Sequence, residues 1–309
     1  MALLLLTFVT QRLPSRIPMK LPQRKSPATI PVEVRRVLDL ILSSVMAFDR
    51  LTCWIDHPAP DIPIAQIKPH CADLKVLNCR SSQFHPVWQT QVQILQPGRQ
   101  ALIELQRAVG ARYRVRLSYA EPALDSLVND RNAAETIRLF MLKHLRVPYM
   151  RHAVRFEQAT AYFARRASTD GKKTARNLVL YADGTSKLWP LRELKSPCCH
   201  IEYRLQGVDT LAEYGLLSLT DCIRFDHQAF WTENLRLFRL PSHVQLGRWI
   251  NPKTGDVTDT ALANRAKRFF ARYSHGDAFV LQDCWRETPR IAHVLTPVDN
   301  KLFFANVTS

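Results

Sequence analysis

Short runs in which apolar and polar residues alternate constrain the fold of this chain more than any other feature. The clearest two are Leu178–Tyr181 and His200–Leu205, and turn-forming pairs such as Ser196-Pro197 border them. Alternation with a period of two is typical of strands that bury one face and leave the other polar. The chain therefore predicts a β-sheet whose two faces differ in chemistry.

The same reading extends along the chain and predicts further elements. The other predicted strands are Phe48–Ile55, Val87–Leu95, Tyr113–Ala120 and Gln158–Ala164. The strand that ends at Tyr181 is predicted to begin at Asn177. Helical spacing of apolar residues predicts Val32–Val45, Ile64–Leu77, Arg99–Val109, Asp130–Leu145, a Leu-rich helix through Leu216 and Asp259–Tyr273. This order favours an α+β fold with a mainly antiparallel sheet and helices on one face, plus a small basic C-terminal module.

Arginines alternate with other residues along the predicted strand Tyr113–Ala120 and its preceding residue. Strict alternation places Arg112, Arg114 and Arg116 on one face. The other face then carries Tyr113, Val115, Leu117 and Tyr119.

Charge predicts the class of partner. The 309 residues include 43 Lys and Arg against 27 Asp and Glu, a net charge of +16, which favours a polyanion such as nucleic acid. No GxxxxGK[ST] or GxGxxG motif occurs, so the sequence does not predict a nucleotide-hydrolysing motor or a dinucleotide enzyme. The seven cysteines form no CxxC pair, which argues against a zinc ribbon and favours a reducing compartment, the cytoplasm.

Composition divides the chain into three predicted parts. Residues 1–45 are a basic, Pro-rich extension with a short helix, residues 46–240 are the main domain, and residues 241–309 are a module containing the basic amphipathic helix Asp259–Tyr273. The apolar run at the N-terminus is too short to span a bilayer and lacks the flanks of a signal peptide. We therefore expect no membrane partner.

His200 and Glu202 are two residues apart on one predicted strand, so both side chains project from the same face. An imidazole beside a carboxylate can supply two ligands to Mg²⁺ or Mn²⁺, and Mn²⁺ accepts the imidazole readily. A further carboxylate is expected from a neighbouring strand. Glu121, which shares a face with Tyr119, is the first candidate and Asp125 is the alternative.

A tyrosine beside such a metal site can attack a phosphodiester and keep the DNA end as a phosphotyrosine. Tyr181 ends its strand just before a turn, with Lys187 and Arg204 close in sequence. Tyr162, on the preceding strand, and Tyr203 are rivals, although Tyr203 alternates to the face opposite His200 and Glu202.

Four passages between about residues 46 and 210 carry a resemblance to a known family. They are FDRLTCWID, YRVRLSYAEPALD, TAYFARRASTDGKKTARNLVLYADGTSKL and CHIEYRLQG. In this order they resemble the rolling-circle replication initiators of plasmids and phages, the HUH-type endonucleases of the replication initiation factor family. The chain departs from that pattern in having His200-Ile201-Glu202 in place of a His-hydrophobic-His triplet, and Glu121-Pro122 where relatives tend to have aspartate after alanine.

The resemblance implies a ferredoxin-like nicking domain over residues 46–240, with Glu121, His200 and Glu202 as ligands of Mg²⁺ or Mn²⁺ and Tyr181 as the nucleophile. It further implies that the protein nicks one strand of single-stranded or hairpin origin DNA. The product would be a 5′-phosphotyrosine and a free 3′-OH that primes replication with a host helicase. Oligomeric state stays open, a homodimer included.

Basic residues interleaved with aromatic ones complete the predicted DNA surface. The predicted DNA-binding residues are Arg112, Arg114, Arg116, Arg165, Arg166, Lys172, Lys173, Arg176, Lys187 and Arg204. Two alternatives remain at this point: a non-catalytic nucleic-acid-binding protein on the same fold, and a relaxase or transposase that uses the same chemistry.

Overall fold

The computed structural model describes residues 30–79, 87–147, 150, 152–164, 175–182, 184–188, 195–252, 255–304 and 307–308. The predicted N-terminal extension before residue 30 and the basic loop residues Arg165, Arg166, Lys172 and Lys173 lie outside them.

The described residues contain both strands and α-helices. The strands are β1 (Ser43–Ile55), β2 (Asp73–Asn78), β3 (Thr90–Leu95), β4 (Val115–Leu127), β5 (Leu145–Arg146), β6 (Arg155–Glu157), β7 (Thr160–Phe163), β8 (Arg176–Tyr181), β9 (Cys198–Gln206), β10 (Arg236–Arg239), β11 (Ser274–His275), β12 (Ala278–Phe279), β13 (Thr296–Val298) and β14 (Val307–Thr308). The helices are α1 (Val32–Leu38), α2 (Ile64–Ile67), α3 (Arg99–Val109), α4 (Arg131–His144), α5 (Val208–Glu213), α6 (Leu219–Ile223), α7 (His227–Asn234), α8 (His243–Ile250), α9 (Asp259–Ala271) and α10 (Leu281–Glu287).

The main sheet has the strand order β2-β3-β1-β4-β9-β8-β7-β6, and each neighbouring pair in this order is antiparallel. β14 adds to β1 in parallel. Smaller sheets are formed by β13-β10-β5 and by the β11-β12 hairpin. The predicted α+β fold with a mainly antiparallel sheet is confirmed.

One face of the main sheet is apolar and covered by helices. Its strands contribute side chains such as Leu51, Val92 and Tyr203, which share a buried cluster with helical residues including Ile137 and Trp231. The opposite face carries polar side chains from β1, β3, β4, β8 and β9. Alternation along each strand explains both faces, because successive side chains point to opposite sides.

A second buried cluster lies in the C-terminal part of the chain. Leu246 of α8, Ala266 and Phe269 of α9, and Leu281 of α10 are among its members. The division at residues 45 and 240 stays a prediction. No helix among the described residues is both long and apolar enough to cross a bilayer.

Two predicted helices are wrong in their second halves. α1 ends at Leu38, and the rest of the predicted helix Val32–Val45 leads into β1. α2 ends at Ile67, a 3-10 turn at Lys68–His70 containing Pro69 follows, and β2 then pairs with β3 over six residues. Proline cannot continue a helical hydrogen-bond ladder, and strand pairing with β3 decides the conformation of the weakly periodic segment that follows.

The predicted faces of the Tyr113–Ala120 strand are also wrong in part. The register between β1 and β4 slips between Thr52 and Cys53, which leaves Ser118 as an extra residue in β4. Leu117 is therefore buried under the helices, whereas Tyr119 lies on the polar face. A β-bulge of this kind re-aims every later side chain on its strand.

Candidate functional site

The polar face of the sheet gathers carboxylates where β1, β4 and β9 lie side by side. One carboxylate oxygen from each of Asp49, Glu121 and Glu202 lies within 4.8 Å of the others. Glu121 and Glu202 are almost fully buried, with 1% and 3% of their surfaces exposed. We call these three residues the acidic cluster.

A bulge in β1 brings Asp49 into the acidic cluster. The register with β4 slips between Phe48 and Arg50, so that Asp49 has no partner across the pair. Gln96 holds it in place: its backbone N–H donates to the Asp49 carbonyl oxygen at 2.7 Å and its Nε2 donates to Oδ1 at 2.9 Å. Gln96 has φ 45°, the left-handed region that non-glycine residues adopt at a cost.

Asp49 lies within FDRLTCWID but is not among the metal ligands that the sequence predicts. The available signal was that Phe48 and Leu51 are both apolar but three residues apart. Two core residues at an odd spacing cannot both face the core of a regular strand, so the spacing itself indicates a bulge.

Arginine and tyrosine side chains surround the acidic cluster. Arg204 Nε donates to Glu202 Oε1 at 2.6 Å and lies 3.3 Å from Glu121 Oε1. Arg50 Nε is 3.4 Å from Glu121 Oε2, and the Tyr119 hydroxyl donates to the other Glu121 oxygen. Glu121 Oε2 accepts no hydrogen bond from any described residue, although it is buried.

The pKa values of the two buried glutamates move apart. Burial and the neighbouring Glu202 carboxylate raise the pKa of Glu121 to about 7. Burial acts in the same direction on Glu202, but hydrogen bonds and charges from His200 and Arg204 lower its pKa. Two like charges in one buried site favour a proton on one of them, or a cation between them.

His200 lies behind the acidic cluster rather than in it. Its Nε2 is 3.1 Å from Glu202 Oε2, and its Nδ1 contacts the buried carboxylate of Asp125, whose other oxygen accepts from Ser186 Oγ at 2.5 Å. Burial opposes the charged ring, but Asp125 and Glu202 raise the pKa of His200 to about 10. His200 is not one of the three residues of the acidic cluster, so this arrangement gives it a positioning contact to Glu202.

Three tyrosines lie on the polar face. The ring of Tyr181 packs on that of His200 with centroids 4.5 Å apart, Tyr119 contacts Glu121, and Tyr162 lies beneath the guanidinium groups of Arg155 and Arg204, 5.1 and 5.9 Å from its centroid. Burial and the carboxylates of Glu202, Asp49 and Asp125 raise the pKa of Tyr181. Tyr203 is fully buried on the helix-covered face, as the alternation of β9 predicts.

An open groove of about 820 Å³ runs along the polar face beside the acidic cluster. Its lining combines cationic, amide and aromatic side chains, namely Arg50, Arg155, Arg204, Gln91, Gln93, Asn177, Gln206 and Trp54 among others. Arginine groups with an aromatic platform suit a single nucleic-acid strand.

The predicted DNA-binding residues lie in several places. Arg204 lines the groove, and Arg116 lies 5.9 Å above the ring of Trp88. Arg114 is paired with Asp56 at 2.8 Å, and Arg112 is 3.8 Å from Asp61. Lys187 is exposed.

Arg176 differs from the other predicted DNA-binding residues in its position. Its strand register pairs it with Leu205, a residue of the helix-covered face. It contacts Glu213 and the ring of Tyr214 there, on the side of the sheet opposite the acidic cluster.

Comparisons with known proteins add little. No protein-family model matches the sequence, and no curated protein matches it. A solved structure with some likeness is that of a rolling circle replication initiator protein from Geobacillus stearothermophilus. The two share 9% sequence identity with a TM-score of 0.32, over 73% of this chain and 97% of that chain. The likeness is distant, and at this level it carries no argument about activity.

Proposed function

We propose that this protein is a replication initiator that nicks one DNA strand at an origin by attack of a tyrosine on the phosphodiester, assisted by a divalent cation. The observation that carries the proposal is the acidic cluster: three carboxylates from three strands within 4.8 Å, beside tyrosines and a basic groove. Because this proposal concerns chemistry, it depends on the site and not on the fold.

The donor set suits a hard cation. All three groups are carboxylates, the ligands that Mg²⁺ and Mn²⁺ prefer, and the buried Glu121 Oε2 lacks a hydrogen-bond donor among the described residues. Asp49, Glu121 and Glu202 would hold the cation. When bound, it would polarise the scissile phosphate and neutralise charge that develops there.

Arg50 and Arg204 supply countercharge to the same carboxylates. A phosphate bound in the groove offers both guanidinium groups an alternative anionic partner, and Arg binds phosphate oxygens with two parallel N–H groups. His200 would keep Glu202 in place, with Asp125 and Ser186 behind it.

We assign the attack to Tyr181, which packs on His200 beside the acidic cluster. The Tyr119 hydroxyl is already bonded to Glu121, and Tyr203 is buried on the other face. The phenolic oxygen of Tyr181 would form a bond to phosphorus after losing its proton to solvent or a nearby carboxylate. The bond from phosphorus to the 3′ oxygen would break, and that oxygen would leave with the electron pair and take a proton. The products are a 5′-phosphotyrosine and a free 3′-OH.

The cation is tested first, because this needs no knowledge of the origin. Titration of Mn²⁺ into the full chain, followed by the electron paramagnetic resonance of free Mn²⁺, should show one site. Glu121→Gln should weaken it at least about tenfold, a loss comparable to or larger than that of disturbing a metal's outer shell. The matched control is Glu157→Gln, a half-exposed carboxylate on the same sheet. Equal binding by both variants would remove the acidic cluster from the mechanism.

The nucleophile is tested with a pool of random-sequence single-stranded oligonucleotides labelled at the 3′ end. With Mn²⁺ the wild-type chain should give a labelled protein band that survives denaturing electrophoresis, and Tyr181→Phe should give none. Tyr162→Phe and Tyr119→Phe are the controls, expected to retain the band. A band with Tyr181→Phe that disappears in one of the controls would transfer the role to that tyrosine. Binding of the pool without any covalent band would favour a non-catalytic DNA-binding protein.

A further inference from the structure

α9 has two faces of different chemistry. Leu262, Ala266 and Phe269 are buried, and Ala266 and Phe269 belong to the C-terminal cluster. The opposite side is exposed and consists of polar, basic and small residues, namely Thr260, Asn264, Lys267, Arg268, Ala271 and, at the C-cap, Arg272. We call these six residues the α9 stripe.

The α9 stripe carries uncompensated positive charge. Lys267, Arg268 and Arg272 form no ion pair with any residue in the described parts of the chain, and the stripe contains no acid. The acid at the start of the helix, Asp259, is paired with Arg248 of α8 at 3.2 Å. Three unpaired cations in two helical turns therefore face solvent.

α8 supports α9 from behind by a close crossing. A side-chain carbon placed on Gly247 of α8 would lie 2.2 Å from the backbone oxygen of Leu262, so the two helices touch at a residue without a side chain. Ser242 and Thr258 cap the two N-termini through hydrogen bonds to Gln245 and Ala261. α9 thus packs closely against α8, with its basic stripe turned outward.

We propose that the α9 stripe binds double-stranded DNA by lying in the major groove. Thirteen helical residues span about 20 Å, and a helix of about 10–12 Å diameter fits a B-form major groove of about 12 Å. Lys267, Arg268 and Arg272 would contact phosphates, and Asn264 would face base edges, where an amide can pair with adenine.

Other anionic partners fit less well. Apolar residues of α9 are already buried in the C-terminal cluster with α8. The helix therefore exposes no apolar face that could insert into a membrane surface. The major groove of A-form RNA is too narrow to admit a helix. Single strands need aromatic platforms, and the exposed side of α9 carries none. The duplex site is thus separate from the groove on the sheet and does not depend on the nicking proposal.

The test is fluorescence anisotropy of a labelled mixed-sequence 30-base-pair DNA duplex with the full chain, from 50 to 300 mM salt. The stripe variant combines Lys267→Gln, Arg268→Gln and Arg272→Gln. The control variant combines Arg35→Gln, Arg36→Gln and Arg131→Gln, which remove the same charge from exposed positions on α1 and α4. The slope of log K against log salt should be about 2.7 less negative for the stripe variant than for the wild type. Its affinity at 100 mM salt should be lower by a factor on the order of 100. The control should keep its slope.

Two outcomes would overturn the proposal. One is equal slopes for the two variants, and the other is a duplex RNA of the same length that binds as tightly and loses as much affinity in the stripe variant. Mn²⁺ binding and adduct formation on single-stranded DNA should be unchanged in the stripe variant. A failure of the nicking proposal would appear in those two assays, and a failure of duplex binding would appear only in the anisotropy.

Discussion

The two faces of the main sheet shift the pKa of a buried histidine in opposite directions. On the polar face, His200 lies between the carboxylates of Asp125 and Glu202, which raise its pKa to about 10 although burial opposes this. On the helix-covered face, the ring of His227 packs against Phe48 and Phe225, and burial lowers its pKa to about 4. The two environments therefore move the pKa of an imidazole in opposite directions.

The difference shows how each face is stabilised. The helix-covered face buries apolar area, and His227 Nδ1 has no hydrogen-bond partner among the described residues. The polar face buries charges that satisfy one another, so each of them is costly to leave alone. A fold can keep a functional set of buried charges on one side of a sheet because the other side supplies the apolar burial.

Removal of the Asp125 carboxylate from the polar face should have the largest effect on the free energy of unfolding. Asp125→Ala leaves the His200 imidazolium and the Ser186 hydroxyl without their buried partner, and loss of one member of a buried pair costs about 3–5 kcal/mol in the free energy of unfolding. The pKa of His200 is raised, so the pair's contribution is complete below pH 6.5 and is lost as pH rises through about 10. Urea denaturation at pH 6.5 measures it, with exposed Asp277→Ala as the control. A change below 1 kcal/mol would contradict a charged network.

Acid should weaken the helix-covered face through His227. Because its pKa falls from 6.5 to about 4 on folding, its contribution is complete above pH 6.5 and is lost as pH falls through about 4. Between pH 7.5 and 4.5 this amounts to about 2.5 kcal/mol. His227→Leu should reduce the pH dependence of unfolding by that amount, as measured by denaturant titrations at both pH values. An unchanged difference would mean that the ring is hydrated in the folded protein.

Glu121→Gln should change the stability of the polar face with the opposite sign. The pKa of Glu121 rises from 4.5 to about 7 on folding, so its ionisation opposes folding increasingly between these pH values, and the cost is complete above pH 7. Without divalent cations the variant should be more stable than the wild type at pH 8, by about 1–3 kcal/mol, and the gain should vanish at pH 4. Thermal unfolding in EDTA at both pH values measures this. A less stable variant at pH 8 would mean that the carboxylate is already compensated.

Much of the fold could be predicted because local periodicity survives in the structure. α3 and α4 begin and end within two residues of the predicted bounds, and alternation in β9 correctly places His200 and Glu202 opposite Tyr203. The conformation of weakly periodic segments, such as Ile64–Leu77, cannot be predicted in this way, because pairing with another strand decides it.

The sequence by itself determined a basic chain with a two-faced antiparallel sheet and the carboxylate, imidazole and phenol groups on β4, β8 and β9. The tertiary structure alone decided which of these groups meet. Bulges at Asp49 and Ser118 re-aim the side chains of β1 and β4, so that Asp49 joins Glu121 and Glu202 while His200 turns to Asp125. Such slips of one residue reverse the face of every residue beyond them, and they arise from pairing between strands rather than from the pattern of either one.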